Sequence, residues 1–165
     1  MDTNKFSLLT PMQKKLFIIC ILPFLLCISC TRTMVIRKNL TKVRQEWRKD
    51  STTNFILYYK QNSYPDSIKN YLQKSIEKYR TEILTLMQEK EYSPKIESFF
   101  FPSKTMMNTI LKTNGEGIAF ARDNICAYVF AREFNGFTKH EVSHIFSINL
   151  WGHSALWIEE GFATL

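Results

Sequence analysis

Apolar residues along this chain fall into runs whose spacing changes repeatedly, and each change marks a predicted element. Asn54–Lys60 (NFILYYK) is rich in β-branched and aromatic residues and predicts a strand. From Pro65 to about Glu91, the residues Ile68, Leu72, Ile76, Tyr79, Ile83 and Leu86 recur at spacings of three and four, which puts them on one face of a long helix. Pro65 suits its first turn, where a missing N–H leaves no bond unmade. Ser93-Pro94 breaks the pattern, Lys95–Phe101 predicts a second strand, and Pro102–Lys112 predicts a short helix with Met106, Met107, Ile110 and Leu111 on its apolar face. Asn114–Gly117 predicts a turn. Two short strands follow, about Ile118–Ala121 and Asn124–Phe130, as a hairpin joined at Arg122-Asp123. The last thirty residues predict two helices. Gly136 precedes the first and Gly152 follows it, and Ser154 is placed to cap the second. Strands alternating with helices and ending in a hairpin and two helices imply an α+β domain over residues 51–165.

The amino terminus follows other rules. Lys14 and Lys15 precede an apolar run from Leu16 to Ile28, interrupted at Pro23 and closed by Ser29-Cys30. A membrane-spanning helix needs ~20 apolar residues, so a basic lead, a short apolar stretch and a small residue before the cut read instead as an export signal over residues 1–30. Residues 1–11 form a long polar lead, which makes Met12 an alternative start. An uncleaved signal anchor is the other reading of the apolar run. Cys27-Ile28-Ser29-Cys30 resembles a bacterial lipobox, which implies that Cys30 carries lipid and becomes the first mature residue. Thr31 after it is similar to the sorting pattern for the outer membrane.

Charge refines the division. Among 165 residues, 22 Lys and Arg stand against 15 Asp and Glu. The whole surplus lies in residues 1–50, with ten basic and three acidic residues, whereas residues 51–165 carry twelve of each. A nucleic-acid-binding domain would carry its excess on the folded body, so no nucleic-acid partner is expected. Residues 31–50 show little apolar patterning and read as a basic tether, suited to anionic headgroups or simply solvated. Of the four cysteines, Cys126 alone lies in the body. It forms neither an internal disulfide nor a metal cluster with other cysteines, and reads as a small core residue.

The candidate chemistry lies near the carboxyl end. His140-Glu141-Val142-Ser143-His144 is an H-E-x-x-H sequence inside an amphipathic helix that includes Ile145, Phe146 and Ile148. Residues i and i+4 share a helix face, so two imidazoles can meet on one zinc ion at ~2.0–2.1 Å. Glu141 is turned ~100° from His140, flanking the metal without competing for it, where it can take a proton from water and pass it to a leaving group. A third ligand is needed. His153 is one candidate, and a carboxylate from Trp157-Ile158-Glu159-Glu160-Gly161-Phe162-Ala163 on a second helix is the other, with Gly161 allowing close approach of the two backbones. An extended motif with Gly three residues and His six residues after His144 is excluded, since Ser147 and Leu150 stand there.

H-E-V-S-H followed by W-I-E-E-G-F-A resembles the gluzincin metallopeptidases of the peptidase MA-like group, over residues 137–163. The resemblance implies a zincin-like fold, a small mixed sheet with a long helix followed by the active-site helix and a glutamate-bearing helix. It implies one zinc ion held by His140, His144 and Glu160, with Glu141 as general base, and a peptide or protein as substrate. Glu160 rather than Glu159 is the implied ligand because the family's glutamate immediately precedes Gly. The family fold also implies an edge strand before the active helix that holds extended substrate, and Asn124–Phe130 occupies that place in sequence, an ordinary sheet edge being the other reading of the segment. The Gly-x-Met-x-Asn segment of aminopeptidase relatives is absent, which favours an endopeptidase. Leu165 follows Glu160 by five residues, so the catalytic domain is expected to be truncated, lacking a wall of the cleft that often supplies an oxyanion-stabilising group; Tyr128 is a candidate for that role. The resulting expectation is a zinc metallopeptidase, exported to the cell envelope and lipid-anchored in the membrane. The alternatives are a non-catalytic zincin-fold lipoprotein and a binding module in which the histidine pair is incidental.

Overall fold

A computed structural model describes residues 34–64, 66–130, 135–153, 160–161 and 163–164. The expected signal over residues 1–30, its lipidated Cys30, and the predicted Ser154 cap and Trp157–Glu159 segment lie outside the described residues. No helix among the described residues is long and apolar enough to cross a membrane. Contacts divide the chain into two compact units, residues 1–39 and 40–165. In the first, residues 34–39 are helical.

The second unit opens with helical residues 40–46 (α1) and continues through β1 (Arg48–Ser51), β2 (Phe55–Tyr59), α2 (Asp66–Leu86), β3 (Ile96–Phe101), α3 (Lys104–Leu111), β4 (Gly117–Phe120), a 3₁₀ turn (Ala121–Asp123), β5 (Ile125–Val129) and α4 (Asn135–Phe146). A π-helical turn, Ser147–Trp151, extends α4. The sheet order is β1-β2-β3-β5-β4. β2, β3 and β5 run parallel in the middle, and β1 and β4 are antiparallel strands at the two edges. The class is α+β, as the pattern predicts.

The three central strands are apolar almost throughout because both of their faces are covered. On one face, Phe55, Leu57 and Tyr59 of β2, Phe100 of β3, and Cys126 and Tyr128 of β5 form a single core with Leu72, Ile76 and Ile83 of α2 and Val142, Ile145 and Phe146 of α4. On the other, Trp47 meets Phe101 edge-on at 4.9 Å and the Arg44 guanidinium lies 5.5 Å from the centre of the Phe99 ring. α3, with Met107 and Leu111 buried, covers β3 and β5.

Three expectations change. The basic stretch read as a tether is structured from residue 34 onward, and the folded body begins before residue 51. Leu40 (1% exposed) and Val43 are buried, and Arg48–Ser51 pairs with β2. Three apolar contacts per two turns suffice to dock a helix, and the surrounding lysines and arginines hide that stripe in the sequence. The long helix stops at Leu86, short of Glu91. Gln88 adopts φ 57°, its N–H reaches Thr85 O and that of Glu89 reaches Leu84 O, which closes the end in a Schellman motif. Leu86, in the last turn, is exposed (53%) rather than part of the buried face. Finally, β5 is not an edge strand. It is inserted between β3 and β4, and the edge belongs to β4.

Candidate metal centre

α4 carries the motif because its two sides have different tasks. Val142, Ile145 and Phe146 are fully buried in the core, which fixes the helix's rotation and turns His140 and His144 away from the sheet. Helix and sheet edge are tied together at the far end as well. The Asn149 amide donates both to Ala121 O (2.8 Å) and to Ile145 O (2.9 Å). Gly152 then ends the π turn at φ 82° and ψ −179°, a conformation essentially restricted to glycine.

The imidazoles of His140 and His144 stand at 84° to one another with Nε2 atoms 3.0 Å apart. Glu160, in a helical segment whose Thr164 N–H donates to Glu160 O, faces both. Its Oε2 lies 3.5 Å from His140 Nε2 and its Oε1 3.6 Å from His144 Nε2. One ligand atom from each of the three residues falls within 4.8 Å of the others. Tetrahedral zinc with bonds of ~2.0–2.1 Å requires its ligand atoms to be about 3.3 Å apart. The two imidazole nitrogens are 3.0 Å apart and each lies 3.5–3.6 Å from a different oxygen of Glu160, close to that value, and two imidazoles with one carboxylate form a donor set of the kind zinc takes in hydrolytic sites.

Glu141 sits on the sheet side of this cluster, 7% exposed. Burial, reinforced by the negative charge of Glu160, pushes its carboxyl up to about 7. Its carboxylate lies against the start of the edge strand. A Cβ placed on Gly117 would come 2.4 Å from Glu141 Oε1. No sequence signal marks this contact, since Gly115-Glu116-Gly117 reads only as a turn.

His153 is exposed in the loop after the π turn, and the cluster comprises His140, His144 and Glu160 among the described residues. Glu159 lies outside the described residues. Gly161 does not show the expected close backbone approach. A Cβ there would meet nothing within 4 Å among the described residues. Tyr128 is not placed to face a substrate. It is 1% exposed, in the core beside Cys126 and beneath α4, because it shares the sheet face that α2 and α4 cover. Burial raises both the Tyr128 hydroxyl and the Cys126 thiol well above their ordinary ranges, so both are neutral packing groups near neutral pH.

Compared with protein-family models, curated proteins and solved structures, the chain matches none. The site therefore stands on its own geometry.

Proposed function

We propose that this chain is a zinc-dependent peptidase of gluzincin type with a zincin-like arrangement, in which His140, His144 and Glu160 hold one zinc ion and Glu141 moves protons. The observation that carries the reading is the convergence of three ligand atoms of the right chemistry beside a buried carboxylate. When bound, zinc supplies Lewis acidity towards a peptide carbonyl and towards water. Glu141 accepts a proton from the attacking water as its oxygen bonds to the carbonyl carbon. It returns that proton to the amide nitrogen as the C–N bond breaks, leaving a carboxylic acid and an amine, which at neutral pH become carboxylate and ammonium as the second water proton passes to the amine.

Substrate would lie along β4. Val129 N–H donates to Glu116 O at 2.7 Å, which sets the phase of the β4–β5 ladder. In an antiparallel pair alternate residues point their polar groups to opposite sides, so those of Gly117 and Ala119 face away from β5. An extended peptide can add there as a further strand, running past Glu141 and the ligand cluster. The absence of a Gly-x-Met-x-Asn segment favours cleavage within a chain over removal of its first residue. The signal-like residues 1–30, with Cys30 as lipid carrier, support an envelope location anchored in the membrane.

The test uses the full-length chain with zinc and a broad peptide library. Cleavage by the wild type, reduced roughly 100- to 10,000-fold in Glu141→Gln with the same zinc stoichiometry, is the expected result. A folded sample that takes up no zinc, or equal inertness of both proteins, would overturn the proposal.

A further inference from the structure

Gly117 is a glycine that its backbone does not demand. Among the described residues the positive-φ glycine is Gly152, whereas Gly117 is an ordinary strand residue paired with Tyr128. Glycine gives up conformational entropy relative to alanine without a return from its own backbone here, and its position coincides with a close contact. That contact is Glu141. A Cβ on Gly117 would lie 2.4 Å from Glu141 Oε1 and 3.0 Å from both Cδ and Cγ, so it would strike the side chain along its length and not only at its tip. Glu141 is buried at this point, so a displaced carboxylate has little exposed space to occupy. β4 itself is packed directly on α4.

We infer that Gly117 is a positioning residue, a notch in the edge strand that seats the Glu141 carboxylate beside the His140–His144–Glu160 cluster. The inference rests on the reading of Glu141 as the proton-moving group. It also explains why the strand begins with its smallest residue where substrate and carboxylate must both approach. A side chain at 117 would push the carboxylate out of line with the bond being broken, and a misplacement of about 1 Å costs roughly a hundredfold in rate.

The experiment is a double-mutant cycle on the full-length chain, combining Gly117→Ala with Glu141→Ala. Melting is followed without metal or substrate, and turnover with zinc is measured for the wild type and Gly117→Ala. Expected are a lowered Tm for Gly117→Ala in the wild-type background and a raised Tm for the same change in the Glu141→Ala background, where the clash is gone and the stiffer backbone is favoured. Also expected is an approximately hundredfold lower kcat for Gly117→Ala, a larger change than that in KM, with zinc affinity unchanged. If Gly117→Ala alone fails to fold, recovery of folding in the double variant gives the same support. Equal Tm shifts in both backgrounds, or an unchanged kcat, would overturn the inference while leaving the peptidase reading intact. An inert wild-type chain would instead overturn that reading, and the positioning role with it.

Discussion

His140 and His144 stand one helical turn apart with their Nε2 atoms 3.0 Å apart, within ordinary hydrogen-bonding distance of one another. Glu160 lies across from both. Occupation of this cluster by zinc would link α4 to the helical segment around Glu160. Zinc is therefore expected to raise the Tm of the wild type, by about 2.7 kcal/mol of added stability at a hundredfold excess over Kd, and a chelator to reverse the gain. His144→Ala and Glu160→Ala should each remove most of the zinc-dependent shift. Differential scanning fluorimetry with and without zinc checks this, and a shift unchanged in both variants would disprove it.

The Arg44 guanidinium donates through Nε (2.8 Å) and Nη2 (2.5 Å) to Glu97 Oε2 while covering Phe99. Both side chains are under one-third exposed, so this pair is shielded more than a surface ion pair. Arg44→Ala is expected to cost about 1.5–3 kcal/mol in urea unfolding, from the lost charged hydrogen bonds and the lost cover over Phe99. A cost near zero would mean that the Arg44–Glu97 pair and its cover over Phe99 add nothing to stability.

Glu77 anchors the turn before β2, accepting from Asn54 N–H (2.9 Å) and from the Asn54 amide (2.7 Å). Burial alone would raise its carboxyl, but hydrogen bonds from Thr52 and Asn54, with the charge of Arg80, outweigh it and hold the group below its ordinary 4.5. A lowered native value means that the unfolded chain binds the proton more readily. The stabilisation is therefore complete above the unfolded value and is lost as pH falls through the native one. Glu77→Gln should destabilise the protein by about 1.5 kcal/mol at pH 7. Its difference from the wild type should shrink as pH falls below 4.5 and through the lowered native value, as read from paired denaturation curves.

Gly152 closes the π turn at φ 82° with its N–H donating to Ile148 O at 3.1 Å. Space is not the restriction, because a Cβ there would meet nothing within 4 Å. Gly152→Ala is nevertheless expected to cost about 1–3 kcal/mol through backbone strain alone. Chemical denaturation reads the loss, and an unaltered midpoint would show that the turn relaxes freely.

Local spacing by itself determined the strand from Phe55, the apolar face of α2, the short helix α3, the hairpin and the shared face of His140 and His144. These follow from the periods of strand and helix, which a linear sequence displays directly. Only the tertiary structure decided the rest. It showed that a stripe as thin as Leu40 and Val43, amid basic residues, docks on the sheet. It placed β5 in the middle and β4 at the edge, because strand order depends on pairing partners far apart in sequence. It buried Tyr128 in the core, set Gly117 against Glu141, and put opposite the two histidines the Glu160 that the motif resemblance names. Each of those relations joins separate elements whose orientation is fixed by packing of the common core, and no period along one segment encodes it.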